Sequence, residues 1–445
     1  MLRTMRVGFT VFGIASVAAL SSVSHILAAG NLYVVQFGDG VAPVAATSAL
    51  VTVQKYADTG GSVLTSIPMP IADSGANQTL TSRGNSTTEG YMSLSTDGQY
   101  LTLIGYDVAP GTASPQTAAG VGRTVGRITV GSNAIDTTTL LSDGSFSGSS
   151  PRGAASTNGT DIWLGGDSST VGNGGARYTT LGSTSSIQIS GPNNGRSIHI
   201  ANGQLYLASM SGANRGVSAV GTGLPTTTGQ TATLLPGFDP STTAPENVSD
   251  FWFKDASTLY VADNRTVALG GGIQRWNFNS GSSLWELAYT LDAGTSGIPA
   301  SGLGVTGTTV GADTVLYATN FSNQLVSITD AGAGSAATLL ASAPTNTAFR
   351  GVVFVPSAPG GVSGDYNGNG VVDAADYVLW RNGGPLQNDP TAGVQPADYD
   401  FWKSRFGATS GSGSGLGSSA AVPEPASAIL LLIGVAAFGL RRRSA

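Results

Sequence analysis

The stretch DGQYLTLIGYD, residues 97–107, sets the pattern that decides the fold: a turn, an alternating apolar run with an aromatic residue, then a small or acidic stop. Alternation over this length is the period of a half-buried β-strand. The pattern returns as NLYVVQFGDG from Asn31, NGTDIWLGGD from Asn158, NGQLYLASM from Asn202, STLYVADN from Ser257 and TVLYATN from Thr314. Tyr33, Tyr100, Trp163, Tyr206, Tyr260 and Tyr317 mark corresponding positions. Further strand-like runs follow most copies, such as GGIQRWNF and WELAYTLD after the fifth.

A unit of roughly 40–50 residues holding about four strands cannot bury both faces of its sheet alone, so neighbours must stack into a ring. Over about 320 residues the pattern resembles bacterial β-propeller proteins and implies their fold. Six units are legible, so the expectation is a mainly β chain built as a six-bladed β-propeller. A seven-bladed propeller is the alternative, with a β-sandwich or parallel β-solenoid further off. The run FRGVVFVP (349–356) has no partner strands after it and would complete the first unit, whose opening strand is missing before Asn31. That pairing removes two exposed sheet edges. Arg152, Arg196 and Arg350, with Arg83 a looser match, stand at the starts of first strands. They would either ring a central channel or satisfy carbonyls at strand ends.

Composition agrees with many short strands joined by tight turns: 64 glycines, 40% apolar residues and only 10% charged. With no cysteine, disulfides, thiol chemistry and cysteine metal sites are excluded. Without the terminal segments the net charge is about −10, a surface that disfavours nucleic acid and anionic lipid.

Both ends read as addresses. Arg3 and Arg6, an apolar run over 7–20 and the small residues Ala28, Ala29 and Gly30 form the layout of a secretory signal peptide over residues 1–30. A retained N-terminal membrane helix is the alternative. Residues 422–445 read VPEPASAILLLIGVAAFGLRRRSA. Pro423, Glu424 and Pro425 precede the apolar run 428–440, and Arg441, Arg442 and Arg443 follow it. This resembles the PEP-CTERM sorting signal of bacterial surface proteins, which implies an exosortase-type processing enzyme as a partner. A helix of that run spans roughly 20 Å, short of the roughly 30 Å hydrocarbon core. The arginines would hold its end at the cytoplasmic face, giving transient membrane anchoring before processing. An ordinary short C-terminal anchor is the alternative. The address is the cell surface or extracellular matrix.

After the propeller-like region (31–356) and a Pro/Gly linker (357–362), residues 363–408 form a small module, followed by a Gly/Ser linker (409–421). Asp365, Asn367, Asn369, Gly370, Val371, Asp373 and Asp376 occupy positions 1, 3, 5, 6, 7, 9 and 12 of an EF-hand-type loop. A hard cation needs oxygens wrapped about one point, so one Ca2+ is expected, held by Asp365, Asn367, Asn369, the Val371 carbonyl, Asp373 through water, and Asp376. With three carboxylates, binding should be modest. Asp373 and Asp376 would alternatively form only a capping box for a helix over 374–382. Asp at the last position resembles the type I dockerin loop. AADYVLWR from Ala374 returns as PADYDFWK from Pro396, so two helices should pack through Tyr377, Trp380, Tyr399 and Trp402. In the second loop only Asp389 and Asp398 fit, which puts a cohesin-like partner in doubt.

The catalytic inventory is thin. Outside the signal the only histidine is His199, in IHIANGQLYLAS, where no nucleophile elbow appears, so it reads as a satisfied strand histidine. Asp161, Asp167, Asp250, Asp255 and Asp263 are candidate carboxylates with nothing to show that two converge. The expectation is a non-enzymatic surface or matrix protein: a propeller platform for binding or scaffolding, plus a calcium-stabilised attachment or spacer module. Extracellular polysaccharide is the candidate ligand. The alternative is an extracellular propeller glycoside hydrolase or polysaccharide lyase, and a purely structural body is a third reading.

Overall fold

The computed structural model describes residues 30–291, 302–356, 364–367, 370–384, 386, 388–389 and 394–409. The expected signal peptide (1–30) apart from Gly30, the expected linker 357–362, Asn369, residues 410–421 and the sorting segment 422–445 lie outside the described residues. Among the described residues no helix is long and apolar enough to cross a membrane, and the apolar run 428–440 falls outside them.

The chain is mainly β. The first strands are β1 (Gly30–Phe37), β2 (Ser48–Ala57), β3 (Thr65–Pro68) and β4 (Thr81–Arg83). Next come β5 (Ser93–Leu94), β6 (Tyr100–Asp107), β7 (Gly122–Thr129) and β8 (Ile135–Leu141). Two four-stranded sheets follow in order: β9 (Pro151–Ser156), β10 (Asp161–Gly166), β11 (Gly175–Thr180), β12 (Ile187–Ser190), then β13 (Gly195–Ala201), β14 (Gln204–Ser209), β15 (Gly216–Val220), β16 (Ala232–Leu234). Two more are β17 (Val248–Asp255), β18 (Thr258–Asp263), β19 (Gly272–Asn279), β20 (Leu284–Leu291), and β21 (Gly302–Val310), β22 (Asp313–Asn320), β23 (Gln324–Thr329), β24 (Ala337–Ser342). The last strand, β25 (Ala348–Pro356), pairs antiparallel with β1, from Gly30↔Pro356 to Phe37↔Ala348. The expected closure is therefore present. Gly30 fits because the Phe354 ring lies where a Cβ would stand, 2.3 Å away.

Short β4 bonds to both β2 and β6, which stitches β25-β1-β2-β3 and β5-β6-β7-β8 into one hydrogen-bonded sheet. The six marker aromatics fall on β1, β6, β10, β14, β18 and β22, each the strand beside the innermost one. The innermost strands touch in sequence, β5 to β9, β13, β17, β21 and β25, and β25 returns to β5. An apolar cluster sits between each neighbouring pair of sheets. The last joins Leu32, Val34 and Tyr56 at the start of the chain to Val315, Tyr317, Leu325 and Phe349 near its end. This is a ring of propeller type. The strands within each sheet pair antiparallel, which is not the arrangement of a parallel solenoid.

Two short helices complete the described chain, α1 (Ala374–Arg381) and α2 (Pro396–Arg405). They pack through the four expected aromatics, with Tyr377–Trp402 centroids 5.2 Å apart and Trp380–Tyr399 5.4 Å. Each tryptophan also donates to the residue capping the other helix: Trp380 Nε1 to Gln395 O at 2.9 Å and Trp402 Nε1 to Asp373 O at 2.8 Å.

Candidate functional site: the axial cavity

The innermost strands leave a cavity of about 440 Å³ at the end where their C-terminal halves emerge, within the range of small-ligand sites. Each of the six contributes: Ser93 from β5, Ser156 from β9, His199 from β13, Trp252 from β17, Thr306 from β21 and Phe354 from β25. Its described lining is hydroxyls, aromatics and aliphatics. No Asp, Glu, Lys or Arg is among them.

Deeper along the axis the inner strands close in. A Cβ on Gly351 would stand 2.5 Å from Gly90 O and 3.1 Å from Tyr91 Cα, and one on Gly304 would stand 3.1 Å from Gly351 Cα. Glycine at these positions lets backbone approach backbone. Tyr91 bridges directly to Gly153 of β9.

In the cavity wall His199 is held from both sides. Its Nδ1 lies 2.9 Å from Ser93 Oγ and its Nε2 lies 2.6 Å from Asp250 Oδ1. The other Asp250 oxygen accepts the Val305 amide at 3.1 Å, and Phe251 meets the imidazole edge-on at 5.0 Å between centroids. Four sheets supply this chain of bonds, through β5, β13, β17 and β21. A carboxylate only accepts, so the proton between His199 and Asp250 belongs to Nε2, and Nδ1 of a neutral ring then accepts from Ser93. His199 is satisfied, as its strand setting implied, but by a serine and an aspartate that the sequence did not connect to it.

The remaining candidate carboxylates are absorbed elsewhere. Asp161 accepts from Tyr178, Asp167 from Ser149, Asp255 from Ser257, and buried Asp263 pairs with Arg265. Among the five, only Asp250 bonds to a residue of the cavity lining, His199.

The arginines divide. Arg350 donates to the carbonyls of Ser86, Phe349 and Gly84, and Arg152 to Gly195 O, Asn194 Oδ1 and Asp167. Both act as carbonyl ligands at strand ends. Burial pulls each guanidinium down to about 10, and for Arg152 the neighbouring Arg196 cation adds to it. Arg83 lies on β4, off the inner ring. Arg196 keeps Nε and Nη1 buried without a described partner. Glu89, which no pattern singled out, is a buried hub accepting from Ser82, Tyr106, Ser150 and the Arg83 amide.

In the helical region the loop before α1 folds back onto its own carboxylates. Gly370 N–H donates to Asp365 Oδ2 at 2.8 Å, and Asn367 N–H to Asp376 Oδ1 at 2.9 Å. Asp373 is the N-cap of α1 and forms a capping box with Asp376, so that reading of the pair holds. Burial raises the Asp376 carboxyl, the Asp373 and Asn367 amides oppose the shift, and the Asp365 and Asp373 charges add to it. A cation among these oxygens would relieve both burial and repulsion, so the donor set fits Ca2+ in chemistry. Among the described residues no three acidic or histidine side chains already converge on one point.

Residues 421–443 match the PEP-CTERM protein-sorting motif, a span that contains Pro423, Glu424, Pro425 and Arg441, Arg442 and Arg443. The chain carries a PEP-CTERM sorting motif. The PEP-CTERM motif marks an exported cell-surface protein, anchored through the C-terminal segment before an exosortase-type enzyme processes it. No curated protein matches the chain in sequence. Among solved structures, a chain of a nidogen/laminin complex is similar at a TM-score of 0.44 and 13% identity, covering 73% of this chain and 98% of that one. A periplasmic gluconolactonase of Pseudomonas aeruginosa is similar at 0.43 and 11%, covering 73% and 99%. A β-propeller domain from Myceliophteria thermophila is similar at 0.35 and 9%, covering 58% and 88%.

Proposed function

We propose that this PEP-CTERM protein is a surface-displayed binding protein that does not cleave the glycan it holds, and whose six-bladed propeller offers its axial cavity to an uncharged segment of extracellular polysaccharide. The count of six rests on six inner strands meeting in a closed ring, one per repeated unit. The observation that carries the ligand class is the lining of the cavity: aromatic faces for sugar rings and hydroxyls for their oxygens, with no ionised pair beside them. A glycoside hydrolase of the common retaining or inverting kind needs two carboxylates about 5–10 Å apart at the substrate. The one candidate carboxylate bonded to the lining, Asp250, stands behind His199. The dockerin-like region, held by one Ca2+ through Asp365, Asn367, Asn369, Val371, Asp373 and Asp376, acts as an attachment or spacer module, and a cohesin-like domain is the partner class that resemblance implies.

The test incubates the full-length protein with the host's extracellular polysaccharide and sizes both bound and free glycan. Retention at unchanged chain length, weakened by Trp252→Ala, is the expected result. Shortened chains would favour the hydrolase or lyase, and no retention at all would leave the structural body.

A further inference from the structure

Beyond binding, the geometry points to an acyl-transfer centre in the cavity wall, with Ser93 as nucleophile, His199 as general base and acid, and Asp250 as its positioning residue, acting on a carboxylic ester. The three side chains form one continuous line. Ser93 Oγ to His199 Nδ1 is 2.9 Å and His199 Nε2 to Asp250 Oδ1 is 2.6 Å, both within the reach that proton transfer requires. Ser93 and His199 both line the cavity, whereas Asp250 is buried behind the ring. That ordering puts the hydroxyl beside the cavity and seals the carboxylate from water, as an acyl-transfer line needs. The relay runs through the imidazole with Nδ1 facing the serine, and the roles are defined by geometry rather than by which nitrogen serves.

The fixed orientation has a structural cause. Asp250 Oδ2 is occupied by the Val305 amide and the imidazole edge rests on Phe251, so the ring has one available orientation. The competing acceptor for the Ser93 hydroxyl, Ile198 O, is farther away at 3.3 Å.

The step balances with water as the only co-reactant. Ser93 Oγ bonds to the ester carbonyl carbon while its proton passes to His199 Nδ1 and the carbonyl electron pair moves onto oxygen. Collapse expels the alcohol oxygen, which takes that proton. Water then repeats the sequence on the acyl-serine, releasing the acid and restoring Ser93.

The experiment treats the native full-length protein with an alkyl fluorophosphonate and maps the adduct by peptide mass spectrometry. This probe forms a phosphorus–oxygen bond to an activated serine and releases fluoride. Expected are one adduct, on Ser93, its loss on heat denaturation and in His199→Gln, and p-nitrophenyl acetate hydrolysis that disappears with labelling. In Asp250→Asn the maximal labelling rate should fall at least ~10-fold at unchanged half-saturating probe concentration, the signature of positioning rather than binding. A folded wild-type protein that stays unlabelled, or is labelled only elsewhere, overturns the assignment and leaves a structural hydrogen bond. Because the wild-type adduct decides the matter, a variant that fails to fold does not blur the result.

Discussion

The sheet ring and the paired helices solve the same problem, holding a chain with no disulfides and few charges, by opposite means. The ring spreads its stability over apolar clusters between every neighbouring pair of sheets and shuts itself with one strand borrowed from the far end. The helical region has one small cluster around Tyr366, Val372 and Trp402. It leans instead on side chains that bind backbone: Trp380 and Trp402 across the pair, Asp376 and Asp398 within the caps. Damage to the ring should therefore be global, and damage to the helices local.

Placing two lysines in the closing strand, as Val352→Lys with Val353→Lys, is the severest challenge. Both valines are buried, and burying two unpaired ammonium groups should cost more than about 5 kcal/mol, the scale of a whole domain's stability. The far-UV melting transition should be lost or collapse in one step; an unchanged curve would sink the closure.

Trp402→Ala removes ring contacts to Tyr377, Tyr399 and Phe406 and the bond to Asp373 O. The expected cost is about 3–5 kcal/mol. Limited proteolysis should cut near 364–409 while the sheet transition stays where it was. If both transitions move together, the two regions are one cooperative unit.

The pH dependence separates the regions by sign. In the ring, Asp330 is lowered: burial alone would raise it, but Tyr260, Tyr289, the Gly332 amide and Arg275 outweigh that. Its contribution is present above the unfolded value of about 3.9 and is lost as pH falls through the folded one. Asp330→Asn should cost about 2 kcal/mol near neutrality and flatten the acid limb of the ring's stability curve. Asp376 is raised, so its contribution is present below the unfolded value and is lost as pH rises through the folded one. Without metal the helical region should lose stability between acid and neutral pH, where the ring gains it.

Calcium should cancel that loss, with the smallest effect of the four. For a site of extracellular-module strength, about 10 mM Ca2+ against a Kd of about 1 mM stabilises by about 1.4 kcal/mol. Calorimetry with and without chelator, repeated on Asp376→Asn, checks it; a helical transition indifferent to calcium would remove the metal from the account.

Local periodicity made the frame readable. The marker aromatics, the unpartnered run at 349–356 and the echo of AADYVLWR in PADYDFWK all survive as strand, closure and helix pair. Strand β5 carries no such signal, since two residues have no period, and β4 is hardly longer. The site fared worse for a geometric reason. Inner strands meet across the axis, so Ser93 reaches a histidine 106 positions away and His199 an aspartate 51 positions on. His199 stood out by being alone and Asp250 was one of five carboxylates, but nothing local marks Ser93. Arg152 and Arg350 were legible as recurrences, yet only packing shows that their guanidinium groups are spent on carbonyls.

The closing strand also sets an order of events. A chain crossing a membrane N-terminus first delivers β1 at once and β25 only after some three hundred further residues. Until then β1 carries an unpaired edge, and the ring cannot lock. Completion of the fold and arrival of the sorting segment at the membrane thus fall close together in time. A protein released from its anchor too early would be one whose first sheet had only just been completed.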